Sequence, residues 1–284
     1  GQADPNPRQF QSMATIKPGR TRAMRNCLRR GSAGAARWAL LGLLVLPVTR
    51  AGESAPELPA AATEAARAHT ERVYQAAAAA FEQAPTNVTL AWQLGRACFD
   101  RAEFARDDAE RAALAQRGIA ACRAALARET NVAAVPYYLS MNLGQLARTR
   151  SLGALPLVRE METLFLRARQ LDAHLDEAGP DRNLGLLYLE APGWPVSVGH
   201  RGKARQHLER ALELAPHYPE NHLNLLEARL RWGEHDLAPA VRRLAELLPA
   251  ARARYAGEAW LWTWADWERR WRAVRDKVAA SQAP

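Results

Sequence analysis

The stretches "DRNLGLLY" (181–188) and "ARQHLERALELAP" (204–216) decide the fold. Both read as helices, and the second stops at a proline, which cannot continue a helix. Between them, "LEAPGWPVSVGHRGK" (189–203) places Pro192, Gly193, Trp194, Pro195 and Gly199 where a helical hairpin would carry a short turn.

Outward from this pair the pattern repeats. "AWQLGRAC" (91–98) pairs with "GIAACRAALARET" (118–130), and "PYYLSMNL" (136–143) with "METLFLRARQLDA" (161–173). Leu94-Gly95, Leu139-Ser140 and Leu184-Gly185 open the copies every 45 residues, while Ala125, Ala168 and Ala211 close them every 43. A looser fourth copy, "HLNLLEARLRWGEHDLAPAVRRLAELLP", follows from His222. A small residue in each helix lets paired backbones approach, and Leu and Tyr fill the space between neighbouring hairpins. Leu, Ala, Arg and Glu dominate while β-branched residues are sparse, which favours helix throughout.

These residues resemble the tetratricopeptide repeat (TPR). The resemblance implies an all-α fold, a TPR-like right-handed α-solenoid of about four elongated helical hairpins over residues 64–250. About nine residues separate the two signature helices in an ordinary repeat. Here Cys98 to Gly118 is 20, Leu143 to Met161 is 18 and Tyr188 to Ala204 is 16, while Leu230 to Pro239 keeps nine. Three hairpins therefore carry insertions of 11, 9 and 7 residues at one corner. The first is charged and is expected to lengthen both helices. Residues 148–160 and 190–203 are loop-like and are expected to form one rim that touches a partner or ligand. The alternative is that Trp194 and Val196 merely cover helix ends.

The formal charge of +9 suggests a nucleic-acid binder until it is mapped. Residues 1–51 hold nine bases and one acid, leaving 30 bases against 29 acids from residue 52 onward. The body offers no electrostatic case for phosphate, so no nucleic-acid partner is expected. Residues 1–23 read as sequence upstream of a start at Met24. Residues 24–51 combine a basic stretch, the apolar run "WALLGLLVLPV" and small residues, the layout of a secretory signal peptide cut after Ala51. Eleven apolar residues are too few for a membrane span, which needs ~20; a retained anchor is the alternative. The expected location is periplasmic or secreted, with 52–63 a flexible lead-in. Cys27 precedes the apolar run, the wrong side for a lipoprotein cysteine.

Cys98 and Cys122 would permit one disulfide in an oxidising compartment. Pairing Gly95 with Gly118 places Cys122 opposite Ala91, about 10 Å along the helix from Cys98 at ~1.5 Å per residue. A disulfide needs Cα atoms within roughly 7 Å, so free thiols are expected.

Residues 251–284 form a C-terminal capping helix and tail. Trp260, Trp264, Trp267 and Trp271 recur on one helical face, with Trp262 elsewhere and Arg269, Arg270, Arg272 and Arg275 expected opposite. The stripe suits either the cap that a solenoid's last face requires or a homo-oligomer interface.

Chemistry is sparse. His217, His222 and His235 are too scattered for a metal, and no HExxH or paired-Cys motif occurs. "GHRGKA" (199–204) lacks the first glycine, the following Ser/Thr and the preceding strand of a phosphate loop. "NVT" (87–89) fits a glycosylation sequon. The chain is read as no enzyme, with no cofactor and no metal.

Within the repeat class, "GPDRNLGLLYLEAPGWPVSVGHRGKARQHLERALELAPHYPENHLNLLEARL" (179–230) resembles the third repeat of the T component of TRAP transporter systems. That resemblance implies a periplasmic helical protein, accessory to solute uptake, which associates with a solute-binding subunit. Members are often lipid-anchored and form trimers with ligand-accessible cavities. On the repeat template the first helix of each hairpin lines the concave surface, which would present Trp92, Arg96, Tyr137, Met141, Arg182, Asn224 and Arg231. Arg148, Arg150, Trp194, His200 and Arg201 would rim it. Aromatics with guanidinium groups suit a protein partner or a small anionic or amphipathic ligand. The alternative is a scaffold for protein–protein interaction in cell-envelope assembly.

Overall fold

Each predicted hairpin is a pair of antiparallel helices. The computed structural model describes residues 60–150 and 153–281. The leader 1–23, the signal-peptide reading of 24–51 and the lead-in up to residue 59 lie outside the described residues. So does the segment 151–152 within the expected rim.

Ten α-helices occur among the described residues, with one 3-10 turn and no strand. They are α1 (Ala60–Gln83), α2 (Val88–Ala102), α3 (Asp108–Leu126), α4 (Ala134–Arg148), α5 (Ala154–Leu171), α6 (Leu175–Glu190), α7 (Arg201–Leu214), α8 (Pro219–Arg231), α9 (Ala238–Arg254) and α10 (Leu261–Ser281). The 3-10 turn, Glu258–Trp260, precedes α10. Local signals set several starts: Asn87 Oδ1 accepts from Leu90 N at 3.0 Å, and Asp107 Oδ1 from Glu110 N at 2.8 Å. Pro219 opens α8, where its missing N–H costs nothing.

The hairpins α2–α3, α4–α5, α6–α7 and α8–α9 stack in sequence order, as the repeat pattern requires. The small residues do what their spacing implied. A Cβ on Gly95 would lie 2.3 Å from Cys122 Sγ, and one on Gly185 would lie 2.6 Å from Leu208 Cγ. Ser140 turns its hydroxyl to Met161 O at 3.2 Å, so a polar side chain fits the same contact.

The insertions resolve unequally. The first lengthens both helices, α2 running to Ala102 and α3 starting at Asp108. The second is mostly helix rather than loop, because α5 begins at Ala154. Pro156 falls in its first turn, where backbone N–H groups lack helical partners anyway, so a residue read as a loop signal is accommodated. The third remains a loop from residue 191 to 200.

The entry to α6 departs most from the repeat pattern. Asp176, Glu177 and Ala178 have φ of 52°, 55° and 62°, three consecutive left-handed residues without a glycine. The C-terminal segment departs as well. Trp260, Trp264 and Trp267 are buried in the core of the fourth hairpin. Yet α10 packs on α1 as well as on α8. The Trp262 ring meets Phe104 edge-on at 5.4 Å, and Glu258 accepts from Arg72 Nη2 at 2.5 Å. The last helix thus reaches from the fourth hairpin back to the beginning of the stack.

Candidate partner-binding surface

The inner helices α2, α4, α6 and α8 carry the residues expected to form an open concave surface. Most of them are not open. Arg96, Tyr137, Met141, Arg182 and Asn224 are buried. Trp92 is half-buried and stacks on Tyr138 with centroids 5.8 Å apart. Arg231 is exposed and donates to Glu190 Oε1 at 2.8 Å. Two physical features fill the space: the left-handed turn at the head of α6 and the returning C-terminal segment.

The turn is held by the predicted residues themselves. Tyr137 donates its hydroxyl to Asp176 Oδ2 at 2.6 Å and accepts from Asn183 Nδ2 at 3.0 Å. Burial pushes the Tyr137 phenol well above its ordinary pKa, so it stays a donor. The Arg182 guanidinium donates to the Asp176 carboxylate at 2.8 Å and to the Asp176 and Glu177 carbonyls at 3.0 and 2.9 Å. Its other face lies over the Tyr218 ring, 5.1 Å from the centroid. Burial alone would depress the Arg182 pKa, but the Asp176 charge outweighs it and the side chain remains cationic.

Asn224 is covered by α10. Its Oδ1 accepts from Arg270 Nη2 at 2.5 Å. Arg270 is buried, although the Trp-stripe reading placed it on the opposite side. The reason is geometric: residues i and i+3 share a helical face, so Arg270 follows Trp267 inward. Glu220, Glu227 and Asp266 gather around it, and sequence reasoning did not single them out. Their signal was the spacing of Glu220, Asn224 and Glu227, one face of α8 in line with Asn224.

The rim is partly realised. Arg148 donates to Glu103 Oε1 at 3.1 Å, while Arg150 is exposed. His200 caps α7, its Nδ1 accepting from Lys203 N at 3.2 Å. Arg201 is exposed, with its guanidinium 5.4 Å from the Trp232 ring centroid. Trp194 stands out at 88% exposed, beside Val196 at 52%.

The loop that carries Trp194 is braced rather than slack. Gly199 N donates to Pro192 O and His200 N to Tyr188 O, each at 2.9 Å. Val196 N and Ser197 N both donate to Gly193 O, at 3.1 and 3.3 Å. A Cβ on Gly199 would sit 2.0 Å from Ala191 O, so only glycine allows the chain to close here. The Trp194–Pro195 peptide is cis.

Outside the inner face, a groove of about 650 Å³ runs between α7 and α9, lined by Leu212, Pro216, His222, Arg243, Leu247 and three glutamates. Glu209, Glu213 and Glu246 outnumber Arg243 there, which disfavours a small anion. Among the described residues no His/Cys/Asp/Glu group could hold a metal ion, and no helix is long and apolar enough to cross a membrane.

No protein-family profile matches the chain, and no curated protein matches it. Solved structures do. A thermophilic TPR protein of Thermus thermophilus, TTC0263, is similar with a TM-score of 0.51 at 18% identity, over 69% of this chain and 98% of that one. MamA is similar with a TM-score of 0.44 at 16% identity, over 70% of this chain and 98% of its own. At these identities the likeness to TTC0263 bears on the fold alone: an all-α, TPR-like solenoid.

Proposed function

We propose that this chain is a non-enzymatic scaffold that grips a protein partner at its hairpin edge, with Trp194 as the anchor. One observation carries this reading. A tryptophan left 88% exposed on a loop tied by four backbone hydrogen bonds is a pre-organised contact. Tryptophan is enriched among the residues that dominate interface energies, and a fixed loop loses little entropy on binding. Exposed Val196 and Arg201 give the anchor an apolar neighbour and a charged one. The filled inner face favours this edge over the concave groove.

The finer reading places the scaffold in the periplasm as an accessory of TRAP-type uptake, bound to a solute-binding subunit. The secretion-signal layout of 24–51 and the likeness of 179–230 to the T component support it. A scaffold for envelope assembly is the alternative. The test is a pull-down from periplasmic extract with the full chain and with Trp194→Ala. Recovery of a TRAP solute-binding subunit by the parent and its loss with the variant is the expected result. Trp194-dependent recovery of an envelope protein instead favours the alternative, and equal recovery by both chains removes Trp194 from the mechanism.

A further inference from the structure

The contact between α8 and α10 carries a buried polar cluster beside its apolar one. Trp267 Nε1 donates to Glu220 Oε2 at 2.7 Å. The Arg270 guanidinium donates to Glu220 Oε1 at 2.8 Å, to Asn224 Oδ1 at 2.5 Å and to both Glu227 oxygens at 2.9 Å. Glu220, Asn224 and Glu227 lie on one face of α8, so a single inner helix reads an indole and a guanidinium three residues apart. Aromatic and arginine anchors held by matched acids are the chemistry of recognition between chains. A contact selected for stability alone would be better served by apolar packing, because burying these charges costs about what their attraction returns.

The fit is also incomplete. Asn224 Nδ2, Asp266 Oδ2 and Tyr218 Oη are buried with no hydrogen-bond partner. All three belong to residues that meet the two anchors. Asn224 holds Arg270, Asp266 Oδ2 lies 3.6 Å from Arg270 Nη1, and the Tyr218 ring abuts Trp267 with centroids 5.3 Å apart. Asp266 leaves with α10, so an occupant that satisfied Asn224 Nδ2 and Tyr218 Oη would hold this face more tightly than α10 does. The link to α10 is short and contains Gly257 at φ 100°, with open space around it.

We propose that the inner face of α8, formed by Glu220, Asn224 and Glu227, is a binding surface for a partner helix carrying tryptophan and arginine at positions i and i+3, and that α10 is its resident stand-in. This rests on the scaffold reading and names the partner's chemistry. A tethered helix competes at an effective concentration on the order of millimolar. The surface is therefore masked in the resting chain and admits only a segment that binds better or arrives with a second contact, such as one at Trp194.

The test uses the full chain with a protease site replacing Ala256–Gly257, cut after folding, and a labelled synthetic peptide of residues 258–281. The cut chain is expected to exchange its fragment for the peptide with an apparent affinity at least ~100-fold above that of the uncut chain. Glu220→Gln with Glu227→Gln should weaken that binding at least ~10-fold, as should Trp267→Ala with Arg270→Ala in the peptide. Glu213→Gln, on the outer face of α7, should leave it unchanged. A cut chain that stays helical and exchanges nothing over a day overturns the proposal. So does loss of helicity on cleavage, since a displaceable helix must leave a folded stack behind, and so does equal binding of a scrambled peptide. Trp194-dependent partner recovery alongside failed exchange would leave the scaffold reading standing and sink this inference alone.

Discussion

The Tyr137 hydroxyl donates to the Asp176 carboxylate at 2.6 Å, joining the inner helix of the second hairpin to the left-handed turn that opens the third. A left-handed residue other than glycine costs roughly 1–2 kcal/mol, and three stand in a row here. The turn persists because Tyr137, Arg182 and Asn221 bond its side chains and carbonyls. Tyr137→Phe is expected to destabilise by about 1.5–3 kcal/mol, the worth of a hydrogen bond to a charged group. Ala178→Gly should fall within about 1 kcal/mol of the parent, because relieved strain offsets one lost buried methyl. Urea denaturation followed by circular dichroism measures both. A large loss from the glycine variant would contradict the strain assigned to this turn.

Glu220 and Glu227 both hold Arg270, yet their environments differ. The Glu220 side chain is 5% exposed and that of Glu227 is 40% exposed. Glu220→Ala leaves a buried guanidinium short of its counter-charge and should cost about 3–5 kcal/mol. Glu227→Ala should cost about 1 kcal/mol or less, since water replaces the lost partner. Similar losses for the two would show that burial is not what separates them.

The burial of Asp266 sets the sign of a pH dependence. Burial raises its pKa above 3.8, against the opposing pull of Arg270. Raised in the folded state, the carboxyl binds its proton more readily there than in the unfolded chain. Its ionised form therefore costs stability above the folded pKa, and the cost fades as pH falls towards 3.8. Asp266→Asn should gain stability at pH 7, with the gain shrinking as the buffer approaches pH 4. Thermal melts of parent and variant across that range check it; a gain that grows on acidification has the wrong sign.

The small-residue positions made the hairpins legible. Gly95, Ser140 and Gly185 recur because a close backbone approach leaves no room for a larger group, and such a constraint shows in a single sequence. The Trp194 loop was legible for the same reason, since Gly199 marks backbone that a Cβ would obstruct. The inner face was less so. A repeat template says which side Tyr137 and Arg182 occupy but not what else occupies it. The turn at Asp176–Ala178 carries no glycine to announce it, and its contacts come from residues as distant as Tyr137 and Asn221. Arg270 was misplaced because counting charges along α10 hid its position one turn from Trp267.

Cys122 packs against Gly95, its Sγ 2.3 Å from where a Cβ there would stand. Both Cys98 and Cys122 are free and buried, in line with the expected absence of a disulfide. Burial pushes the Cys98 thiol up to about 12 and raises Cys122 further still. Since the thiolate is the nucleophile, roughly one Cys98 side chain in 10⁴ would be reactive at pH 8 even if reagent could reach it. In the folded chain neither should be alkylated by iodoacetamide over an hour at pH 8, and both should be in denaturant. Peptide mass mapping assigns each site separately. Rapid native labelling of Cys122 would mean that α2 and α3 part far more easily than their close packing around Gly95 allows.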